Sequence, residues 1–287
     1  MIISASRRTD IPAYYPEWLL NRIKERYVLV RNPMNFSQVR KVNLDPDDVD
    51  CIVFWSKNPK PLLEKSDSFN EYAYYFQFTL NPYDNDIETN LPPKTEILDT
   101  FKKLSDKTGP QRVNWRYDPV LLNTRYTVAY HIDKFSEFAR LLKGYTEKVI
   151  FSFIDFFKKT AGNMESNGIA EITNDEKNTL AENFSKAAGE NNLLIDTCAE
   201  GIDLSRFNIG HAKCIDGKLI EKITGKELSV GKDKNQRLEC GCVTGIDIGA
   251  YNSCPNGCVY CYANFSRNAV LNNYRKYNQS SPFLIGE

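Results

Sequence analysis

Cys51-Ile52-Val53-Phe54-Trp55 runs directly into Ser56-Lys57-Asn58-Pro59. A short, unbroken apolar run that stops at polar residues has the form of a strand covered on both faces, because a half-exposed strand would alternate. The same form recurs outward along the chain. Ile2-Ile3-Ser4-Ala5-Ser6 and Tyr27-Val28-Leu29-Val30-Arg31 precede it. Tyr75-Phe76-Gln77-Phe78-Thr79-Leu80, Arg112-Val113-Asn114-Trp115-Arg116-Tyr117, Val149-Ile150-Phe151-Ser152-Phe153-Ile154 and Leu193-Leu194-Ile195-Asp196-Thr197-Cys198 follow it. Between several runs lie apolar stripes at helical spacing: Ile97, Phe101 and Leu104; Ile132, Phe135, Ala139 and Leu142; Leu180, Phe184, Ala187 and Ala188. Pro16 opens an earlier helix, and Thr173 with Glu176 has the spacing of a capping box. Gln38-Val39-Arg40-Lys41-Val42 reads as an extra strand.

Repeated strand–helix units predict an α/β fold with a parallel sheet and right-handed crossovers. The length of the series predicts a TIM-type or partial (β/α) barrel. It should occupy residues 1–236, with a C-terminal cysteine-rich segment, residues 237–287, packed on it.

Composition narrows the function classes. The 287 residues are 41% hydrophobic, enough for a large core. Lys+Arg and Asp+Glu both number 37, so no global basic field exists and nucleic acid is not indicated as a partner. No apolar run approaches a membrane span. The opening Met1-Ile2-Ile3-Ser4-Ala5-Ser6-Arg7-Arg8 lacks the order of a signal peptide. A cytoplasmic protein with no membrane partner is expected.

Polar residues gather after the strand-like runs, where parallel barrels build their active sites. Arg7-Arg8-Thr9-Asp10 follows the first, Lys57 the third, and Arg116-Tyr117-Asp118-Pro119 ends the fifth. Asp155 and Glu200 close the next two. Arg116, Asp118 and Lys57 are therefore candidate catalytic residues, and Arg7 a candidate for binding a cofactor. The cations suit an anionic or carboxylate-bearing ligand. Asp10 and Asp155 fit helix caps and loop ion pairs equally well. His131 reads as sitting at a helix start; His211, just before Cys214, reads as a loop or surface residue, with replacement of a cysteine ligand as its alternative.

Of eight cysteines, seven lie at or beyond residue 198. In a reducing compartment such clustering indicates metal or catalysis rather than disulfides. Cys51, inside an apolar run, reads as core. The stretch Ser253-Cys254-Pro255-Asn256-Gly257-Cys258-Val259-Tyr260-Cys261-Tyr262-Ala263-Asn264 spaces its thiols as C-x3-C-x2-C. Three thiolates can hold three corners of an iron–sulfur cube and leave one iron open to a ligand. Zinc is the plainer alternative, but zinc sites favour paired C-x2-C ligands. Only Cys258 and Cys261 have that spacing; Cys240 and Cys242 form C-x-C. The run after Cys261, Tyr262-Ala263-Asn264-Phe265, reads as the start of a helix.

The loop, with Tyr260 before its last cysteine, resembles the signature of radical SAM enzymes. The wider pattern resembles an uncharacterised family, domain of unknown function 1848, over nearly the whole chain. Its marks are Ile3-Ser4-Ala5-Ser6-Arg7-Arg8-Thr9-Asp10-Ile11-Pro12, Phe54-Trp55-Ser56-Lys57-Asn58-Pro59, Arg116-Tyr117-Asp118-Pro119 and the closing cysteine block. The resemblance implies that Cys254, Cys258 and Cys261 ligate a 4Fe–4S cluster whose open iron chelates S-adenosylmethionine. Tyr260 would lie by the adenine. One electron, from an external donor such as ferredoxin or flavodoxin, would yield a 5′-deoxyadenosyl radical that takes hydrogen from a small-molecule or peptide substrate. One departure stands out: radical SAM enzymes usually carry this loop after the first strand, whereas here it follows the last. The chain must therefore fold back over the strand ends.

Cys198, Cys214, Cys240 and Cys242 remain, and four thiolates complete a site without help. A second centre is expected there, an auxiliary 4Fe–4S cluster, with zinc or plain reduced thiols as the competing readings. Two other functions fit the same residues. One is an iron–sulfur electron-transfer or sensing protein that does not cleave S-adenosylmethionine; the other is a zinc-stabilised binding module.

Overall fold

The computed structural model describes residues 1–286. Its strands are β1 (Ile2–Ala5), β2 (Tyr27–Asn32), β3 (Asn35–Asn43), β4 (Cys51–Ser56), β5 (Tyr74–Thr79), β6 (Val113–Val120), β7 (Lys148–Phe153), β8 (Leu194–Thr197), β9 (Gly210–His211) and β10 (Ile246–Asp247). The helices are α1 (Ile11–Tyr14), α2 (Pro16–Glu25), α3 (Lys60–Leu63), α4 (Lys94–Thr108), α5 (Val128–Leu141), α6 (Ala161–Ser166), α7 (Asn174–Glu190), α8 (Gly217–Thr224) and α9 (Arg267–Arg275).

Eight strands form one sheet in the order β10-β1-β4-β5-β6-β7-β8-β9. Every pairing in it is parallel. From β4 to β9 the spatial order follows the chain, as successive crossovers of one hand require. The expected α/β fold is present. Among the described residues no ladder joins β9 to β10, so the hydrogen-bonded sheet is open rather than a closed barrel.

The run at Tyr27 does form a strand, but not in this sheet. β2 pairs antiparallel with β3 as a separate hairpin, with Val28 opposite Val42. Only Pro33 and Met34 separate the two strands, far too few residues for a parallel crossover. The expected extra strand at Gln38–Val42 is the outer half of β3.

Both faces of the sheet are covered, which is why its strands do not alternate. Ile52, Phe54, Phe76, Phe78, Trp115, Tyr117 and Phe151 face the helical layer, with Trp18 of α2, Phe101 of α4, Phe135 of α5 and Phe184 of α7. Phe135 stacks on Phe184 at 4.1 Å and on Trp115 at 4.9 Å. Burying each such ring is worth roughly 2–3 kcal/mol. The alternate residues Ile2, Cys51, Val53, Tyr75 and Ile150 form a second cluster with Ala212, Cys214, Ile215 and Ile220. The chain after β9, with α8, thus packs on the opposite face. Tyr75 Oη and Gln77 Nε2 both donate to the Cys214 carbonyl at 2.7 Å, pinning that segment across the strands.

Several local expectations hold. Cys51 is fully buried, and burial pushes its thiol up to about 12. The Thr173–Glu176 capping box opens α7. His131 lies in the first turn of α5, as expected, and is 0% exposed there, hydrogen-bonded to Tyr117 Oη and to the Leu121 carbonyl at 2.8 Å each. Burial holds its imidazole down at about 4. One does not hold: Tyr262–Phe265 is not helical, because Asn252 Oδ1 takes the Phe265 and Ser266 amides at 3.0 and 3.3 Å. Helix α9 starts only at Arg267, capped by Ser266. Beyond it, the carbonyls of Ser281 and Phe283 each accept from Trp18 Nε1 at 3.0 Å. No helix among the described residues is long and apolar enough to cross a membrane.

Candidate active site

The cysteine loop reaches the carboxyl ends of the strands because β10 docks beside β1. Asp247 accepts hydrogen bonds from Ser4 Oγ at 3.1 Å, Ser6 Oγ at 2.7 Å, the Arg7 amide at 2.8 Å and the Gly249 amide at 3.0 Å. At Gly249 a Cβ would overlap the Ser6 side chain, so only glycine passes there. The loop is then clamped from two sides. On one, Tyr15 Oη donates to the Ser253 carbonyl at 2.5 Å and Tyr14 Oη to Asn256 Oδ1 at 2.8 Å. On the other, the Asn90 amide reaches the Asn256 carbonyl at 3.0 Å, Asn90 Nδ2 the Pro255 carbonyl at 2.7 Å, and Thr89 Oγ1 the Gly257 carbonyl at 3.1 Å. Gly257 itself adopts φ +70°, a conformation that glycine takes without strain.

Asp10 is the keystone of the first side. It caps α1 through the Ala13 amide at 3.1 Å and accepts from Ser56 Oγ at 2.6 Å, the Lys57 amide at 2.8 Å and Asn256 Nδ2 at 3.2 Å. Burial pushes its carboxyl up, against the pull of these donors. Its role as a helix cap, foreseen from sequence, extends to holding the cysteine loop.

Beneath the loop lies a cavity of about 550 Å³, within the range of small-molecule sites. Cys254, Cys258 and Cys261 line it, and so do Cys198, Cys214, Cys240 and Cys242. All eight cysteines are free thiols. Cys198 Sγ lies 3.5 Å from Cys214 Sγ, and Cys242 Sγ accepts the Ile215 amide at 3.3 Å. Hydrogen bonding from Cys242 holds the Cys240 thiol down at about 7. Burial pushes Cys258 up to about 12, against the attraction of Lys57. Among the described residues, no three Cys, His, Asp or Glu side chains converge as a finished coordination sphere. The thiols share a cavity wall instead.

The predicted polar residues line the same cavity. Arg116, 4% exposed, donates through Nη1 to Cys214 Sγ at 2.8 Å and pairs through Nη2 with Asp118. Asp118 also accepts from Ser152 Oγ. Burial opposes both charges, yet their mutual attraction wins, raising the guanidinium and lowering the carboxyl. Lys57 Nζ donates to Glu88 Oε1 at 2.7 Å and to Tyr260 Oη at 2.9 Å. Tyr260 Oη in turn donates to Glu88 Oε1 at 2.5 Å, and Lys94 Nζ reaches Glu88 Oε2 at 2.6 Å. Burial would raise the Glu88 carboxyl, but the two lysines hold it down at about 2. Arg7 lies over Trp55 at 5.4 Å, and its Nη2 is buried without a hydrogen-bond partner.

The structure therefore gathers Arg7, Lys57, Arg116, Asp118, Tyr260 and all seven C-terminal cysteines around one cavity. Asp155 stands at its rim, in an exposed ion pair with Arg237. His211 lies outside it on β9, exposed. Sequence reading missed Glu88, which sits between strands without pattern or motif. It also missed Trp55 as a cavity wall, since an aromatic in an apolar run reads as core.

An α/β protein with a cysteine-walled cavity at the carboxyl ends of a parallel sheet is the class these features define. The model of the family described as Domain of unknown function (DUF1848) matches residues 2–263, and the chain belongs to that family. No curated protein and no solved structure matches it.

Proposed function

We propose that this protein is a radical SAM-like enzyme in which Cys254, Cys258 and Cys261 hold a 4Fe–4S cluster with one open iron. Cys198, Cys214, Cys240 and Cys242 form a second metal centre. One observation carries the reading: seven thiols, from Cys198 to Cys261, line a single cavity at the strand ends. The donor set fits. Three thiolates on one clamped loop match a site-differentiated cluster, and the remaining four match a closed one. The open sheet is read as a partial (β/α) barrel whose mouth this loop covers.

When bound, such a cluster supplies the electron for reductive cleavage of S-adenosylmethionine and hydrogen abstraction from a substrate. The chain's own residues bind, orient and exclude water. Lys57 places a fixed cation beside Cys258, which favours the thiolate a metal requires. Tyr260 is held by its hydroxyl, so its ring is fixed as a wall for the adenine. Arg116 and Asp118 neutralise each other and present a dipole rather than a bare charge to a ligand. Lys57 and Lys94 share the single carboxylate of Glu88, which leaves net positive potential on that wall for an anionic ligand. The substrate is a small molecule or peptide, the compartment is the reducing cytoplasm, and ferredoxin or flavodoxin is the class of electron donor.

The test is anaerobic reconstitution followed by reduction in the presence of S-adenosylmethionine. Formation of 5′-deoxyadenosine is expected, with roughly eight irons per chain if both centres are cubes. Cys258→Ala should abolish the product and remove about four irons. An iron-loaded protein that yields no 5′-deoxyadenosine, with iron indifferent to Cys258→Ala, would refute the proposal.

Zinc in the second centre is favoured by one distance. Tetrahedral zinc thiolates bond at about 2.3 Å, which places neighbouring sulfurs about 3.8 Å apart. The Cys198–Cys214 separation of 3.5 Å is close to that. About four irons and one zinc per chain would then be found in place of eight irons.

A further inference from the structure

The cavity walls distribute charge unevenly. Arg7 follows β1 and Arg116 stands on β6, so they approach Trp55 of β4 from opposite sides in the sheet order. Their guanidinium carbons lie 5.4 and 5.2 Å from its ring. Arg116 is satisfied, one nitrogen pairing with Asp118 and the other donating to Cys214 Sγ at 2.8 Å. Arg7 is not. The nearest carboxylate oxygen to Nη1, on Asp233, is 3.9 Å away, and Nη2 is buried without a partner. A buried guanidinium N–H with no acceptor is costly, and the long contact to Asp233 does not reach it, so its position suits a further anion. Arg7 lines the same cavity wall as Cys198, Cys214, Cys240 and Cys242. Asp247 is already occupied by Ser4, Ser6 and two backbone amides.

Four thiolates around one zinc ion, or around a doubly positive iron–sulfur core, both leave a net charge of about −2. We propose that Arg7 is the counter-cation of the four-cysteine centre, while Arg116 fixes the Cys214 sulfur by direct hydrogen bonding. The inference rests on the reading that this group binds metal, and it holds for zinc and iron–sulfur alike. Neither arginine is a ligand; both act through the thiolates as positioning residues, the outer layer that tunes a metal site.

The experiment measures retained metal. Protein is loaded anaerobically with iron and sulfide, or with zinc alone, then challenged with EDTA, and bound iron and zinc are counted. The Cys240→Ala, Cys242→Ala double variant serves as the control. If it holds as much metal as wild type, the group binds none, and the metal-binding reading and this inference fall together. If it holds less, Arg7 variants decide. Arg7→Met keeps the apolar stem on Trp55 but removes the charge; Arg7→Lys keeps the charge.

The expected result is about 10- to 100-fold easier loss of metal in Arg7→Met, largely restored in Arg7→Lys. Metal bound by Cys254, Cys258 and Cys261 should be unchanged in both, which separates a local effect from misfolding. Wild-type retention in Arg7→Met, or equal loss in Arg7→Met and Arg7→Lys, overturns the inference. The Arg7 side chain is 20% exposed, so substitution there is tolerable. Should Arg7→Met lose its circular dichroism, Arg7→Gln replaces it with the same expected outcomes.

Discussion

Replacing Glu88 by Gln tests whether one buried carboxylate holds the wall on which Lys57 and Tyr260 depend. Glu88 is 1% exposed, and its two oxygens take Lys57, Lys94 and Tyr260 at 2.7, 2.6 and 2.5 Å. Its carboxyl stands at about 2 against an ordinary 4.5. At about 1.4 kcal/mol per pH unit, that gap corresponds to about 3 kcal/mol of stability. Breaking a buried ion pair from one side costs about 3–5 kcal/mol, so the two routes agree. Because the folded carboxyl is the stronger acid, this contribution is complete above pH 4.5 and fades as pH falls toward 2.

Glu88→Gln should therefore lower Tm at pH 7 by roughly 6 °C, taking about 2 °C per kcal/mol for a chain of this size. The deficit should shrink steadily when both proteins are melted at successively lower pH. Calorimetry of the metal-free proteins gives the comparison without loading effects. A Tm shift under about 2 °C at pH 7, or one that does not change with pH, would show that the lysines are solvated rather than anchored by Glu88.

His131 should act in the neighbouring, higher pH range and in the same direction. Its imidazole is held at about 4 against an ordinary 6.5, so the unfolded chain binds the extra proton first and stability rises with pH across that window. Wild type should lose about 3 kcal/mol between pH 6.5 and 4, and His131→Gln should flatten that slope in urea unfolding. At Gly249, a methyl group would overlap Ser6, so Gly249→Ala should cost about 1–3 kcal/mol. It should also lower iron retention at the cysteine loop, measured after anaerobic loading, because the same contact seats β10 beside β1.

Much of this architecture was legible in the residues. Continuous apolar runs located β1, β4, β5, β6, β7 and β8, because strands buried on both faces cannot alternate. Tyr27–Arg31 looked the same and went elsewhere: only its Val28 is fully buried, and the two-residue turn after the strand decides its partner. β9 and β10 are two residues each and carry no periodicity. Spacing located the thiols, and counting separated the loop of three from the remaining four. Glu88 had no such signal. Its partners Lys57 and Tyr260 lie 31 and 172 positions away, so only folding reveals that they meet.

The latch at Asp247 spans the chain: Ser4, Ser6 and Arg7 wait for a carboxylate 240 to 243 positions downstream. During synthesis the strands therefore emerge well before the sulfurs that cap them. Any ligand that the thiols hold is thus received last, on a scaffold already in place.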